Sequence, residues 1–401
     1  MLLVRAGATE LQLGRLSRAG LLATQGIRGG ASLDVLRRIK ATGDIFFAES
    51  DRRWILEGAA VRVSMVGFDN GTESRHQLNG SRVGDIGPSL TRALDLTTAK
   101  RLTENGGVCF MGPSPKGPFD IDEVEGRQLL SAGGNLNGKP NSDVVRPVIT
   151  GKDIVGKNRK AFTIDFGQMS EDDAELYQQP FALVLARVKP IRSQNRRSAY
   201  AKKWWQYAEP RPGMRAALSG LTRMLVTPEV SKHRVVRWYD TQVLANQQTL
   251  VFARSDDYFF GVLQSHPHDL WALARGTQLE SRPRYTPTTC FETFPLPWPP
   301  GQEPTGDPRV MAIGEGARRL NELRERWLNP PPVDGQPLAE SELKKRTLTN
   351  LYNQRPQWLG NLHSALDEAV FAAYGWPATL TDEEILERLL AENLRRPARK
   401  A

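Results

Sequence analysis

Apolar positions change their period several times along the chain. In ASLDVLRRIKATG (31–43), Leu33, Leu36 and Ile39 recur at helical spacing and Gly43 is a fitting stop. LLAT (21–24), IFFA (45–48) and AAVRVSMVGF (59–68) read as short extended runs. In the last of these, Val61, Val63 and Met65 alternate with Arg62, Ser64 and Val66, a strand period. Residues 1 to about 104 therefore read as α/β structure, but structure that opens in mid-pattern. No strand, glycine turn and helix come first, and GFDNG (67–71) lacks the spacing and the helix of a cofactor loop.

From about 105 to 298 the pattern shortens. FTIDFG (162–167), RVVRWY (234–239), TLVFAR (249–254) and YFFGVLQS (258–265) predict strands of a mixed, mostly β domain. SEDDAELYQQ (170–179) predicts a helix, with Ser170 as N-cap and acids in its first turn. PLPWPPGQEPTGDP (295–308) then places six prolines in fourteen residues, a stiff linker and a domain boundary.

Beyond the linker the period is helical. Asp307 and Pro308 make a cap and first-turn pair, and Val310, Ile313, Ala317, Leu320, Leu323 and Trp327 line one face. A second helix is expected over 361–374, ending at Gly375. A third starts at Thr381, with Glu384 completing a capping box and Arg395–Arg396 suiting its negative end. The three helices predict a small bundle, and no internal repeat is evident.

Charge sharpens this picture. The net charge is +9, and between Arg187 and Arg237 thirteen Lys/Arg face only Glu209 and Glu229. One segment thus carries the basic character, as a phosphate-backbone footprint does; a solvated basic surface is the plainer alternative. Two distant cysteines, Cys109 and Cys290, argue for a reducing, cytoplasmic setting rather than a disulfide framework. No run of about 18 apolar residues is present. The basic N-terminus raises a mitochondrial presequence, but its apolar pattern runs on into GLLAT as a folded domain would.

Candidate chemistry is sparse. Cys290 has no nearby His and no preceding proline, so a buried structural thiol is expected. His266, His268 and Asp269 in SHPHD resemble a ligand cluster, but a polar turn explains them. NPPP (329–332) lacks the aromatic that completes the base-holding loop of adenine-N6 methyltransferases, and it reads as a helix stop. No metal-binding motif is found.

The basic block is richer. Lys189, Arg192, Arg196, Arg197, Lys202 and Lys203 interleave with Tyr200, Trp204, Trp205 and Tyr207, and Lys232 and Arg234 follow on an expected strand. Cations there would neutralise phosphates while aromatics pack on sugar or base, with one of the two tryptophans in the core. In LESRPR (279–284), Glu280 and Arg282 share one face of an extended segment. Glu accepts from cytosine N4 and Arg donates to guanine O6 and N7, so the pair is a candidate reader of a C·G base pair. An ordinary exposed Glu–Arg pair is the alternative. Thr288 and Thr289 are further candidate phosphate contacts.

RAGLLATQGIRGGASLDVLRRI, IFFAESDRRWILEGAAVRVSMVGF, NSDVVRPVITGKDI, KPIRSQNRR, EPRPGMR, VSKHRVVRW, VFARSDDYFFGVLQS, LESRPRYTPTTCFETFPLP and RTLTNLYNQRPQWL…LDEAVFAAYGW occur in this order. Together they resemble the MmeI-like adenine-specific DNA methyltransferases of restriction–modification and phage-defence systems. The resemblance implies a multidomain α+β chain: a truncated methyltransferase-fold remnant (1–104), a mixed, mostly β target recognition domain (105–298), the Pro-rich linker (299–308) and a helical domain (309–401). In that family the S-adenosylmethionine loop and the catalytic loop precede LLATQGIRGG. The expectation is therefore a DNA-recognising C-terminal part without catalytic or cofactor-binding residues of its own. Its partners would be double-stranded DNA and an upstream-encoded methyltransferase half. A stand-alone DNA-binding specificity module and an organellar RNA-binding protein are the alternatives carried forward.

Overall fold

The computed structural model describes residues 15–28, 30–56, 59–91, 94–195, 197–279, 282–332, 336 and 338–398. Arg196 and Glu280 fall outside the described residues. The chain divides into two compact units, one of residues 1–99 with 381–391 and one of 100–380 with 392–401.

The first unit holds a five-stranded sheet in the order Arg18–Thr24, Ala59–Asp69, Asp44–Leu56, His76–Leu78, Ser81–Val83. Its pairs are antiparallel except the one between Asp44–Leu56 and His76–Leu78. The helix Gly30–Thr42 lays Val35, Leu36 and Ile39 on Ile45, Ala48, Val66 and Phe68. Helix and sheet meet at Gly43, where any Cβ would fall 2.1 Å from the Asp69 carbonyl oxygen. The alternation expected along 61–66 does not hold. Ala59–Asp69 is a central strand, and Val63, Ser64, Val66, Gly67 and Phe68 are all buried, so both its faces are covered.

The second unit is built on two four-stranded sheets. One runs Arg237–Asp240, Arg223–Pro228, Thr249–Phe252, Cys109–Met111, and the other Leu244–Ala245, Val145–Ile149, Phe162–Ile164, Asp120–Ile121. Short helices fill the spaces between them, more than the strand-rich pattern predicts. Ser170 does cap a helix, accepting from Asp173 N at 3.1 Å, but that helix stops at Glu175. A separate helix, Gln178–Arg187, buries Phe181 and Val184.

Two segments correct the sequence reading. YFFGVLQS is not a strand but the helix Asp257–Gln264, capped by Asp256, which accepts from Phe259 N at 2.8 Å. All seven residues from Tyr258 to Gln264 are buried, and a helix covered on all sides shows no amphipathic period to read. SHPHD is not a turn but the start of the helix His266–Arg275, with Pro267 in its first turn.

The C-terminal helices are Pro308–Leu328, Gln357–Tyr374 and Asp382–Arg395, with the short Glu340–Lys345 and Leu348–Gln354 among them. Gly375 ends the second with φ +71°, and Thr381 and Glu384 form the expected reciprocal cap. On Pro308–Leu328 the buried positions include Ile313, Ala317 and Leu320 as expected, together with Arg324, which was not. This helix and Gln357–Tyr374 pack on each other and on Asp257–Gln264.

Candidate nucleic-acid interface

The basic block from 189 to 207 folds as two helical turns, Lys189–Ser193 and Ser198–Lys202, followed by an aromatic plug. Both tryptophans are core: Trp204 donates to Glu171 Oε1 and Trp205 to the Met169 carbonyl, each at 3.0 Å. Phe119, Phe166 and Phe181 belong to the same cluster. The plug holds the turns rigidly and leaves Lys189, Arg197, Lys202 and Lys203 on the surface. Lys189 Nζ sits 4.7 Å above the Trp204 ring. Arg197 donates to the Tyr200 hydroxyl at 3.1 Å and lies over the same ring. Glu209, just beyond the block, is already paired with Arg211.

Arg192 departs from its expected place. It is 1 % exposed, between the rings of Phe119 (5.8 Å) and Tyr200 (5.2 Å), and its Nη2 donates to the carbonyls of Pro115 and Gln206. Its Nε and Nη1 have no hydrogen-bond partner among the described residues, and burial pushes its pKa down. A phosphate cannot reach it. Its place in the site is to support Tyr200, and through Tyr200, Arg197.

The second group lies on the other sheet. Residues 231–236 are not the expected strand, which begins only at Arg237. They are held instead by the hairpin Thr277–Leu279/Arg282–Arg284: Ser231 N donates to Pro283 O at 3.3 Å, Val230 bridges Arg284, and Tyr285 N donates to Glu229 O at 2.8 Å. The fold thus brings Lys232 next to the hairpin strand that bears Arg282, a proximity that spacing alone does not reveal. Arg282 is exposed on the hairpin, where it faces Leu279 in register. Lys232 is exposed and donates to Asn353 Oδ1 at 2.6 Å.

Arg234 is half-buried and largely committed. Its Nη1 donates to Pro228 O at 2.7 Å, its guanidinium lies 4.8 Å over the Tyr285 ring, and burial lowers its pKa. Beneath that ring, the Tyr285 hydroxyl is 2.9 Å from His268 Nε2, while His268 Nδ1 is 2.8 Å from the Leu263 carbonyl. A carbonyl only accepts, so the proton sits on Nδ1 and Tyr285 donates to Nε2. Burial drives the His268 pKa down to about 3, which keeps this relay neutral.

Beside Lys232 and Arg234 lies a cavity of about 240 Å³, reaching to His266, Asp269, Arg355, His363 and Asp367. Asp367 accepts from His266 N at 2.7 Å, at the start of the helix His266–Arg275, and burial raises its carboxyl to about 6. His363 is lowered to about 4 by burial, with Arg324 and Arg355 adding to the effect.

Cys290 is buried in the helical turn Pro287–Phe291, its Sγ against the Ala272 carbonyl. Phe291 and Phe294 beside it are fully buried. Thr289 is tied to Thr286, which leaves Thr288 as the exposed threonine of the pair. Asp44, His76 and Asp85 come together in the first unit, but Lys40 Nζ already lies between the two carboxylates. Sequence reasoning missed Arg324 and the basic run KNRK at 157–160. The latter was legible as four polar residues, three of them cations, after a glycine.

The second unit displays cations from an aromatic-filled α/β core. Residues 125–298 match the model of the MmeI target recognition domain. Over 174 residues the chain is 30% identical to DNA methyltransferase A of Bacillus subtilis (strain 168), a stretch that makes up 41% of this chain and 17% of that protein. The fold is similar to that of the type IIL restriction-modification enzyme MmeI, solved in complex with DNA. The match has a TM-score of 0.70 at 20% identity and covers 97% of this chain and 51% of MmeI. The chain thus spans well under two thirds of both relatives.

Proposed function

We propose that this chain recognises a specific duplex DNA site for an S-adenosylmethionine-dependent adenine-N6 methyltransferase of a restriction–modification system. The observation that carries the reading is a coincidence of place. The segment matching the target recognition family, 125–298, is the one that displays Lys189, Arg197, Lys202 and Lys203 from a rigid core. In this reading those cations hold the phosphate backbone in register, and Arg282, on its hairpin beside Lys232, reads a base edge. Glu280 is its proposed companion. Methyl transfer itself is assigned to a methyltransferase part of the kind found in the relatives, and the residues derived above position the duplex for it. The resemblance of the sequence supports adenine N6 as the methylated atom.

Fluorescence anisotropy of the full chain on duplex DNA tests this. Replacing Arg197, Lys202 and Lys203 with Ala should lower the slope of log affinity against log salt by roughly 2–3. Arg282→Ala should instead relax the preference at one base pair, at a cost of about 1–3 kcal/mol. An unchanged slope would return the block to ordinary surface, and a uniform loss across sequences would reassign Arg282 to a phosphate.

A further inference from the structure

Three stretches far apart in sequence meet in the second unit. The helix Gly151–Val155 packs its first residue on Pro228, where an added Cβ at Gly151 would lie 3.3 Å from the Pro228 Cβ. Thr349, on the helix Leu348–Gln354, donates to the Val155 carbonyl at 3.2 Å. One turn further along that helix, Asn353 Oδ1 is 2.6 Å from Lys232 Nζ and 2.9 Å from His233 Nε2. The helix Leu348–Gln354 therefore ties the loop after Val155 to the segment 228–234.

The loop is built to present charge. Asp153 is 1 % exposed, and its carboxylate accepts from Thr150 N, from Arg159 N and from the Arg159 guanidinium, so Arg159 is consumed internally. Asn158 accepts from Lys160 N at 2.7 Å and holds Lys160 at φ +55°, a left-handed conformation rare for a lysine. Lys152, Lys157 and Lys160 all stand exposed, and none makes an ion pair among the described residues.

The neighbouring acids are already spent. Glu229 pairs with Arg284, Glu325 with Arg237, and Asp153 with Arg159. Asp120 faces the same Arg159. Asp269 and Asp367 lie in the cavity behind, under the influence of Arg234, Arg355 and His266. Among the described residues, Lys152, Lys157, Lys160 and Lys232 are left exposed without an ion pair, and the one acid within the loop, Asp153, is held by Arg159.

We propose that this row, a ledge formed by residues 152–160 and Lys232 and braced by the helix Leu348–Gln354, is a second contact for the phosphate backbone of the duplex. It rests on the DNA-recognition reading above and is separate from the 189–203 block. It also gives the C-terminal helices a part in binding. Phosphate contacts of this kind add affinity and salt dependence without sequence preference.

The test uses the full chain, duplex DNA of scrambled and cognate sequence, and anisotropy between roughly 50 and 200 mM salt. The triple variant Lys152→Gln, Lys157→Gln, Lys160→Gln should lose about 2–3 from the salt slope and about tenfold or more in low-salt affinity, equally on all sequences. The triple Lys→Arg variant should restore both, which separates charge from folding. Lys344→Gln with Lys345→Gln, lysines already paired to Glu340 and Glu342 on their own helix, should change neither. An unchanged slope in the Gln triple, alongside a lowered slope in the Arg197, Lys202 and Lys203 variant, overturns the ledge and leaves DNA recognition standing. Failure of the unaltered chain to bind any duplex overturns both.

Discussion

At the scale of single residues, identity says little about role until burial is known. Lys189, Arg192, Arg197 and Lys202 belong to one basic run, yet Arg192 lies between two rings and carries the run instead of joining it. Cation–π contact offsets part of the cost of burying a guanidinium whose Nε and Nη1 lack partners among the described residues. Asp367 shows the same dependence for an acid. Its carboxyl is raised to about 6 by burial, so the folded chain binds that proton more tightly than the unfolded chain does. The linkage then runs in one direction: stability falls as pH rises from about 4 through about 6. An amide at this position can still accept from His266 N. Asp367→Asn should therefore raise the stability near pH 8 by about 1–2 kcal/mol, and the gain should vanish below about pH 4. Thermal melts across that range check it; an Asn variant less stable at every pH would mean that the charge itself holds the helix start.

At the scale of elements, the helix Asp257–Gln264 organises the second unit. It touches the helices Pro308–Leu328 and Gln357–Tyr374, and its Gln264 accepts from Val236 N and from Arg324 while donating to Arg234 O. Arg324 in turn donates to Val236 O at 2.7 Å and lies over Phe260. The segment bearing Lys232 and Arg234 is thus positioned by a helix more than 70 residues further along. Close approach of the helices depends on Gly261, where a Cβ would lie 2.6 Å from Ile313 Cγ2 and 3.0 Å from Ile313 O. Gly261→Ala should cost about 1–3 kcal/mol through overpacking, although alanine favours a helix. A melting temperature at or above that of the parent chain would show that the two helices separate without penalty.

At the scale of the whole molecule, the Pro-rich stretch 295–308 joins parts that share a core. Leu296 is fully buried, the Tyr374 hydroxyl donates to Pro295 O at 2.7 Å, and Asn393 donates to Thr293 O at 2.7 Å. A fragment ending near residue 300 would expose the helix Asp257–Gln264, whose residues from Tyr258 to Gln264 are all buried in the full chain. Such a fragment should aggregate or lose its cooperative transition, whereas the full chain should retain one. Denaturant unfolding followed by tryptophan fluorescence distinguishes the outcomes, and a well-behaved fragment would show that the helices are dispensable to that core.

Read alone, the sequence determined what depends on neighbours along the chain. The caps at Asp307 and Thr381, the stop at Gly375, the stripe of Ile313, Ala317 and Leu320, and the concentration of positive charge between 187 and 237 are all local matters of spacing and composition. The ordered run of motifs also pointed to the family that residues 125–298 match. Tertiary structure decided the rest. YFFGVLQS became a helix because burial on every side erases the period that distinguishes helix from strand. Arg192 and Arg324 went inside because aromatic rings and carbonyls from distant segments were there to receive them. The hairpin strand bearing Arg282 came to lie next to Lys232, and Lys157 beside the C-terminal helices, through hydrogen bonds between residues far apart in sequence. A pattern of spacing records what each residue prefers; which surface it finally shares depends on long-range packing.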